Sequence, residues 1–311
     1  MKNQLKLLVI MSLVMVMGLS VGIQAANFPL TLEDDLENEI TLKEKPQRII
    51  SLSPSNTEML FALGLGDKIV GVTKSANYPQ AALKKEKIGT ITDPNVEKIV
   101  SLEPDLVVAS AINKMQSINK LRELGIKVAG FNPGTVNETI LTIKKLGKIT
   151  GEVKKAQDVV TDMYMNLVDI KNIVDSHLQN HKRKNVFYEL WDNPLMTAGD
   201  NTFVDDLIEL AGGINIGAQA RGKWPQYNLE KLITEDPQVY ISTPHSSQEK
   251  VTVASIKNRD RFKIITAIKK GNIQIVNQDI VNRPSPRIIK GLKIFVKAIH
   301  PELTEKIEEL N

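Results

Sequence analysis

The sequence predicts an α/β protein of two similar Rossmann-like lobes, each on a mostly parallel sheet, joined by one long rigid helix. Three observations carry that expectation. Short apolar, β-branched runs alternate with helical periods, one helix-turn-strand segment occurs twice, and between the two copies residues 152–181 keep helical spacing with neither Gly nor Pro. A length of 311 residues suits two domains of ordinary size.

Residues 1–25 read as a cleaved signal peptide. Lys2 and Lys6 precede an uncharged apolar run from Leu7 to about Ile23, and Ile23-Gln24-Ala25 resembles a signal-peptidase site. A retained membrane anchor is the other reading, but the run is short for a bilayer span and no basic stop-transfer follows. The chain has no cysteine, which excludes disulfides, thiolate metal sites, cysteine nucleophiles and a lipid-modified cysteine. The expectation is an exported periplasmic protein, monomeric and not a lipoprotein. Losing Lys2 and Lys6 lowers the formal charge from +4 to +2, and no basic stripe with interleaved aromatics occurs, so nucleic acid is not an expected partner.

Residues 26–45 read as a hairpin, with strands at 29–32 and 39–42. The N-terminal lobe, residues 46–150, opens with a strand at 48–52, a helix at 55–63 stopped by Gly64 and a strand at 68–72. Residues 95–108 then recur as residues 228–241. In each copy a polar N-cap residue, Asn95 or Asn228, starts a short helix, a proline stops it and an apolar run follows as a buried strand. Residues 151–182 are the connecting helix, where Ala156, Val159, Val160, Met163, Leu167, Ile170, Ile173 and Val174 fall near one face. Residues 183–311 form the second lobe, with a strand at 185–190, a helix at 202–211, a strand at 273–276 and a final helix from Pro286.

Several residues stand out against plainer readings. Glu97 and Glu230 are equivalent in the repeat. Compensation of a helix macrodipole accounts for such a carboxylate, and a two-point dock onto basic pockets of a partner accounts for its duplication. Ser55-x-x-Glu58 fits a capping box. Asp205, Asp206 and Glu209 fall on the polar side of their helix, where solvated acids are the default. Trp224 sits in the aperiodic stretch 220–226, beside Arg221 and held by Pro225, as a ligand platform would be. Trp191, and Asp279 with Arg283 and Arg287, follow strands, where α/β sheets bind ligands. His177 and His181, four apart, suit solvated positions at a helix C-terminus better than a shared metal. No nucleotide-binding, nucleophile-elbow or zinc-protease motif occurs. An exported metal-assisted hydrolase using His245 with Asp279 is the rival from another class.

Taken together, Pro46-Gln47-Arg48-Ile49-Ile50-Ser51-Leu52-Ser53-Pro54-Ser55-Asn56-Thr57-Glu58, residues 95–108 and 207–215, Trp224-Pro225-Gln226 and Ser285-Pro286-Arg287 resemble the periplasmic binding proteins for vitamin B12, haem and ferric siderophores, the first most closely. The resemblance implies a class III periplasmic binding fold, no enzyme activity and no resident cofactor. It implies a cobalt corrinoid as cargo between the lobes and an ABC permease dimer as partner, reached through Glu97 and Glu230. Trp224, Asp279 and Arg283 match positions that contact the corrinoid. Trp191, Tyr78, Met196, Ser75 and Arg221 complete the expected ligand set. Ser75, Ile91, Ser110 and Met196 replace further aromatics, which keeps haem or a ferric siderophore as the alternative, with Tyr78, His245 or Met196 as axial or stacking groups.

Overall fold

A computed structural model describes residues 27–244 and 251–310. The signal-peptide expectation and His245 lie outside the described residues. Among those described, no helix is long and apolar enough to cross a membrane.

Strands β1 (Leu30–Glu33) and β2 (Glu39–Leu42) form an antiparallel hairpin. Asp34 anchors it to the first lobe: its buried carboxylate accepts from Gly130 N at 2.7 Å and from Leu36 N and Asn38 N, and pairs with Arg122 at 3.2 Å. The lobe itself is built on β3 (Ile49–Ser51), β4 (Ile69–Val72), β5 (Leu106–Ser110) and β6 (Val128–Phe131). They are parallel, in the order β4-β3-β5-β6. Helices cover both faces, so these strands are buried almost throughout and read in sequence as unbroken apolar runs.

The second lobe repeats the plan. Its strands β7 (Lys184–Asp192), β9 (Gly213–Asn215), β10 (Val239–Ser242) and β11 (Ile273–Ile275) are parallel in the order β9-β7-β10-β11. Taken by rank of appearance, both orders are second, first, third, fourth. The duplicated segment thus occupies one place in both sheets, just before β5 and just before β10. Its helices Val96–Ser101 and Leu229–Glu235 are capped by Asn95 and Asn228, which accept from Lys98 N at 2.9 Å and Lys231 N at 3.2 Å. Strand β8 (Leu195–Thr197) is an addition, running antiparallel to the end of β7.

The connecting helix is Val153–Leu178, about 39 Å long at 1.5 Å per residue. Its buried residues Ala156, Val160, Met163, Leu167, Ile170 and Val174 alternate steps of four and three, the spacing of one helical face. The preceding helix, Val136–Thr150, packs on it closely enough that a Cβ on Gly147 would lie 2.2 Å from the Ala156 methyl. Thr135 caps that helix by accepting from Glu138 N at 3.0 Å. Thr135→Ala is expected to cost about 1 kcal/mol, seen as a lower urea midpoint at unchanged slope. An unchanged midpoint would show that the cap contributes nothing.

Two local expectations are corrected. The helix after β3 spans Pro54–Ala62 and its cap is Ser53, which accepts from Asn56 N at 3.2 Å, so the Ser55–Glu58 capping box does not form. Pro54 at the first helical position sets the start two residues earlier than the box would. Asp205 and Asp206 are not solvated acids. Asp205 is buried and accepts from Asn215 Nδ2 at 2.8 Å, and Asp206 accepts from Val136 N at 2.7 Å, tying the second lobe to a helix start of the first. Burial raises the Asp206 pKa, opposed by that hydrogen bond.

A cleft between the lobes

A cavity of about 830 Å³ lies between the two lobes. The first lobe lines it with residues that follow its strands: Ser53 and Ser55 after β3, Ser75 after β4, Ser110 and Ile112 at the end of β5, Asn132 after β6. The second lobe contributes Leu190 from β7, Gln278, Asp279, Asn282 and Arg283 after β11, and Phe203, Lys223 and Trp224. Both sheets therefore aim their carboxyl ends at one space, where loops supply varied side chains over rigid strands.

Trp224 is positioned by backbone. Gly199 N donates to Lys223 O at 2.8 Å and Thr197 N to Pro225 O at 3.1 Å, which lays the loop 220–226 along β8. A Cβ on Gly199 would fall 2.0 Å from Gly222 O, so only glycine permits the approach. The indole packs on Phe203 with ring centroids 5.6 Å apart. Phe203 opens a helix capped by Thr202, so that the aromatic pair spans a helix start and a pinned loop.

A polar seam joins the lobes beside the cavity. Glu58, 3% exposed, accepts from Ser285 Oγ at 2.7 Å, Arg287 Nε at 2.8 Å and Nη2 at 2.5 Å, and Arg283 Nη1 at 3.3 Å. Arg283 also donates to Asp279 Oδ1 at 2.5 Å and to Asn77 Oδ1 at 2.7 Å, while Asn77 Nδ2 donates to Asp279 Oδ2 at 2.7 Å. The Arg287 guanidinium lies 3.9 Å from the Tyr78 ring centre. Burial disfavours the Arg287 charge, but the bonds and charge of Glu58 outweigh it and hold the pKa above the ordinary value.

Of the residues singled out as ligand contacts, Trp224, Asp279, Arg283 and Ser75 are brought together on the cavity wall. Tyr78, Trp191, Met196 and Arg221 are not among its lining residues. Tyr78 is spent on Arg287. Trp191 lies within β7 rather than after it, paired with Met196 across β8, and its Nε1 donates to Asn193 O at 3.0 Å. Arg221 is exposed on the loop. The sequence reading missed Phe203, Lys223, Gln278 and Asn282. Phe203 and Gln278 open helices, a signal the sequence carried, whereas Lys223 lies in the loop beside Trp224 and Asn282 closes the short helix after β11.

Glu97 and Glu230 are both exposed, one on each lobe, in the equivalent short helices. Their surroundings differ. Glu230 forms a forked pair with Arg261, with Nη2 to Oε2 at 2.8 Å, which holds its pKa below the ordinary carboxylate value. Glu97 has no ion-pair partner among the described residues.

Comparison with known proteins agrees with this architecture. The periplasmic binding protein family model matches residues 49–279. The uncharacterized ABC transporter substrate-binding lipoprotein YvrC of Bacillus subtilis is 34% identical over 280 residues, 88% of this chain and 87% of that one. Among solved structures, the periplasmic vitamin B12 binding protein BtuF of Vibrio cholerae has a TM-score of 0.72 at 27% identity, covering 84% of this chain and 98% of its own. A possible iron-binding periplasmic solute-binding protein of Staphylococcus epidermidis has a TM-score of 0.71 at 33% identity, covering 83% and 100%.

The Bacillus relative corrects one expectation. It is a lipoprotein, so the expectation that this chain is not a lipoprotein does not stand, while the periplasmic part of that expectation is consistent with the match. That reading rested on the missing cysteine. An extracytoplasmic location is consistent with all three proteins. The exported-hydrolase alternative also falls, because the matches are to substrate-binding transport proteins. The matched span takes in the first lobe's sheet, the connecting helix and the parallel strands of the second lobe, and the chain belongs to the periplasmic binding protein family.

Proposed function

We propose that the protein is the extracytoplasmic substrate-binding component of an ABC importer, holding a corrinoid between its lobes and delivering it to a permease dimer. In this reading residues 46–150 and 183–311 are the lobes that close, residues 151–182 hold their spacing, residues 26–45 brace the first lobe, and the protein acts as a monomer. The observation that carries the cargo is the chemistry of the wall. Trp224 and Phe203 offer aromatic surface, Ser53, Ser55, Ser75 and Ser110 offer hydroxyls, and Gln278 and Asn282 offer amides. A flat apolar macrocycle rimmed with amide groups calls for that mixture. Haem iron takes an axial His, Tyr, Met or Cys, and none lines the cavity among the described residues. The vitamin B12 binding protein among the structural relatives supports the same cargo.

A ferric siderophore is the second reading, favoured by the cations Lys223 and Arg283 on the wall and by the possible iron-binding relative. Calorimetric titration with cyanocobalamin, dicyanocobinamide, hemin and a ferric siderophore tests both. Saturable one-to-one corrinoid binding supports the primary reading. Corrinoid silence with tight hemin or siderophore binding moves the cargo, and silence toward all four removes the small-molecule role.

Delivery through Glu97 and Glu230 has its own test. Close interfacial charge pairs couple by about 1.5 kcal/mol or more, so Glu97→Ala is expected to weaken association with the permease about tenfold and leave cargo affinity unchanged. Glu230→Ala should do the same. Surface-immobilised permease reads the first and calorimetry the second, and undiminished association in the double variant would refute the docking role.

A further inference from the structure

A second cluster lies at the opposite end of the C-terminal lobe from the cleft, where β7 begins. His177 is in the last turn of the connecting helix, His300 ends the helix Ile288–Ile299, and Glu302 follows Pro301. The expectation of solvated histidines is corrected here for His177, while His181 is exposed as expected. The His177 side chain is only 8% exposed, His300 is fully buried, and the two rings meet edge to face at 4.7 Å. His181 stacks on the His177 ring at 4.0 Å instead of sharing a ligand with it.

We propose that His177, His300 and Glu302 form a divalent transition-metal site, of the kind that takes Zn²⁺, fastening the end of the connecting helix to the C-terminal lobe. Spacing supports it first. Donors 2.0–2.1 Å from a tetrahedral zinc stand about 3.3 Å apart. Glu302 Oε1 is 3.1 Å from His177 Nε2 and 3.7 Å from His300 Nδ1, and one ligand atom from each residue falls within 4.8 Å of the others. Two imidazoles and a carboxylate leave the fourth position to water.

The unmet polar atoms support it second. His177 Nε2 and both ring nitrogens of His300 are buried with no hydrogen-bond partner among the described residues. His177 Nε2 stands near Glu302 without the alignment of a hydrogen bond, as two ligands of one ion do. A buried polar atom left unpaired costs roughly 1–3 kcal/mol, which coordination would relieve. Lys184 Nζ, 3.8 Å from Glu302 Oε1, is the competing cation, but it is held by Ile299 O at 2.6 Å.

The test uses tag-free, full-length protein stripped by chelator and titrated with Zn²⁺ against a chromophoric competitor, then with Co²⁺. One equivalent of Zn²⁺ is expected, with a rise in Tm, and Co²⁺ should give the visible absorption of a tetrahedral site. His177→Gln and Glu302→Gln, chosen because neither replaces the fully buried His300, should each weaken Zn²⁺ binding by about 100-fold while the metal-free protein still melts cooperatively. Absence of saturable binding overturns the proposal. So does binding that survives both substitutions unchanged.

Discussion

Trp224→Ala is expected to weaken corrinoid binding by about 100-fold. The indole lines the cavity and packs against Phe203, which lines it too. A tryptophan carries 150–250 Å² of surface, so on the order of 100 Å² is available to a ligand. At about 25 cal/mol per Å² that surface is worth about 2.5 kcal/mol, or 70-fold, before any stacking geometry is counted. Buried aromatic anchors are also where binding energy concentrates. Trp224→Phe should recover most of the affinity, because the loop that carries the residue is fixed by backbone hydrogen bonds that neither substitution touches. Calorimetry is the measurement, since the substitution removes the fluorophore that quenching would report. Undiminished affinity in Trp224→Ala would mean that the cargo does not lie against this wall. Intact Trp224→Phe binding beside a weakened Trp224→Ala would place the effect in ring contact rather than in loop disorder.

The lobes and their connector were legible in sequence because they rest on local signals. Asn95 and Asn228 cap helices three residues on, the prolines end them, and the face of the connecting helix repeats every three or four residues. The site was legible where its residues follow a strand, as Asp279 and Arg283 do, or carry a local oddity, as Trp224 does in a loop without period. Glu58 was misread because a capping carboxylate and a cross-lobe partner are the same residue type in the same helix turn. Its arginines are 225 and 229 positions away, beyond any periodic window. His177 was misread for the same reason: its sequence neighbour four residues on is His181, while the ring that shares its buried space is His300. Asp206 belongs with them, since its partner is a helix start on the other lobe. Each error missed a distant tertiary partner that no local pattern signals.

Glu58→Ala is expected to lower stability by about 3–5 kcal/mol, the cost of removing one member of a buried ion pair. The loss is large because the carboxylate is the acceptor on which Arg287, Arg283 and Ser285 converge, and deletion leaves a guanidinium, 15% exposed in Arg287, without its anion. Arg283 suffers less, retaining Asp279 and Asn77. Glu58→Gln keeps the shape and one acceptor oxygen but removes the charge, so it should fall between the two proteins. The effect belongs to the seam between lobes rather than to the helix that carries Glu58, because the cap of that helix is Ser53. A double-mutant cycle with Arg287→Ala isolates it: residues in one ion-pair network show interaction energies of roughly 0.5–3 kcal/mol, and urea denaturation of the four proteins measures it. Strict additivity would mean that the seam does not join the lobes energetically. A clear coupling energy would make Glu58 and Arg287 the clasp that sets how far the cleft stands open before cargo arrives, since both lobes must give up that pair to separate further.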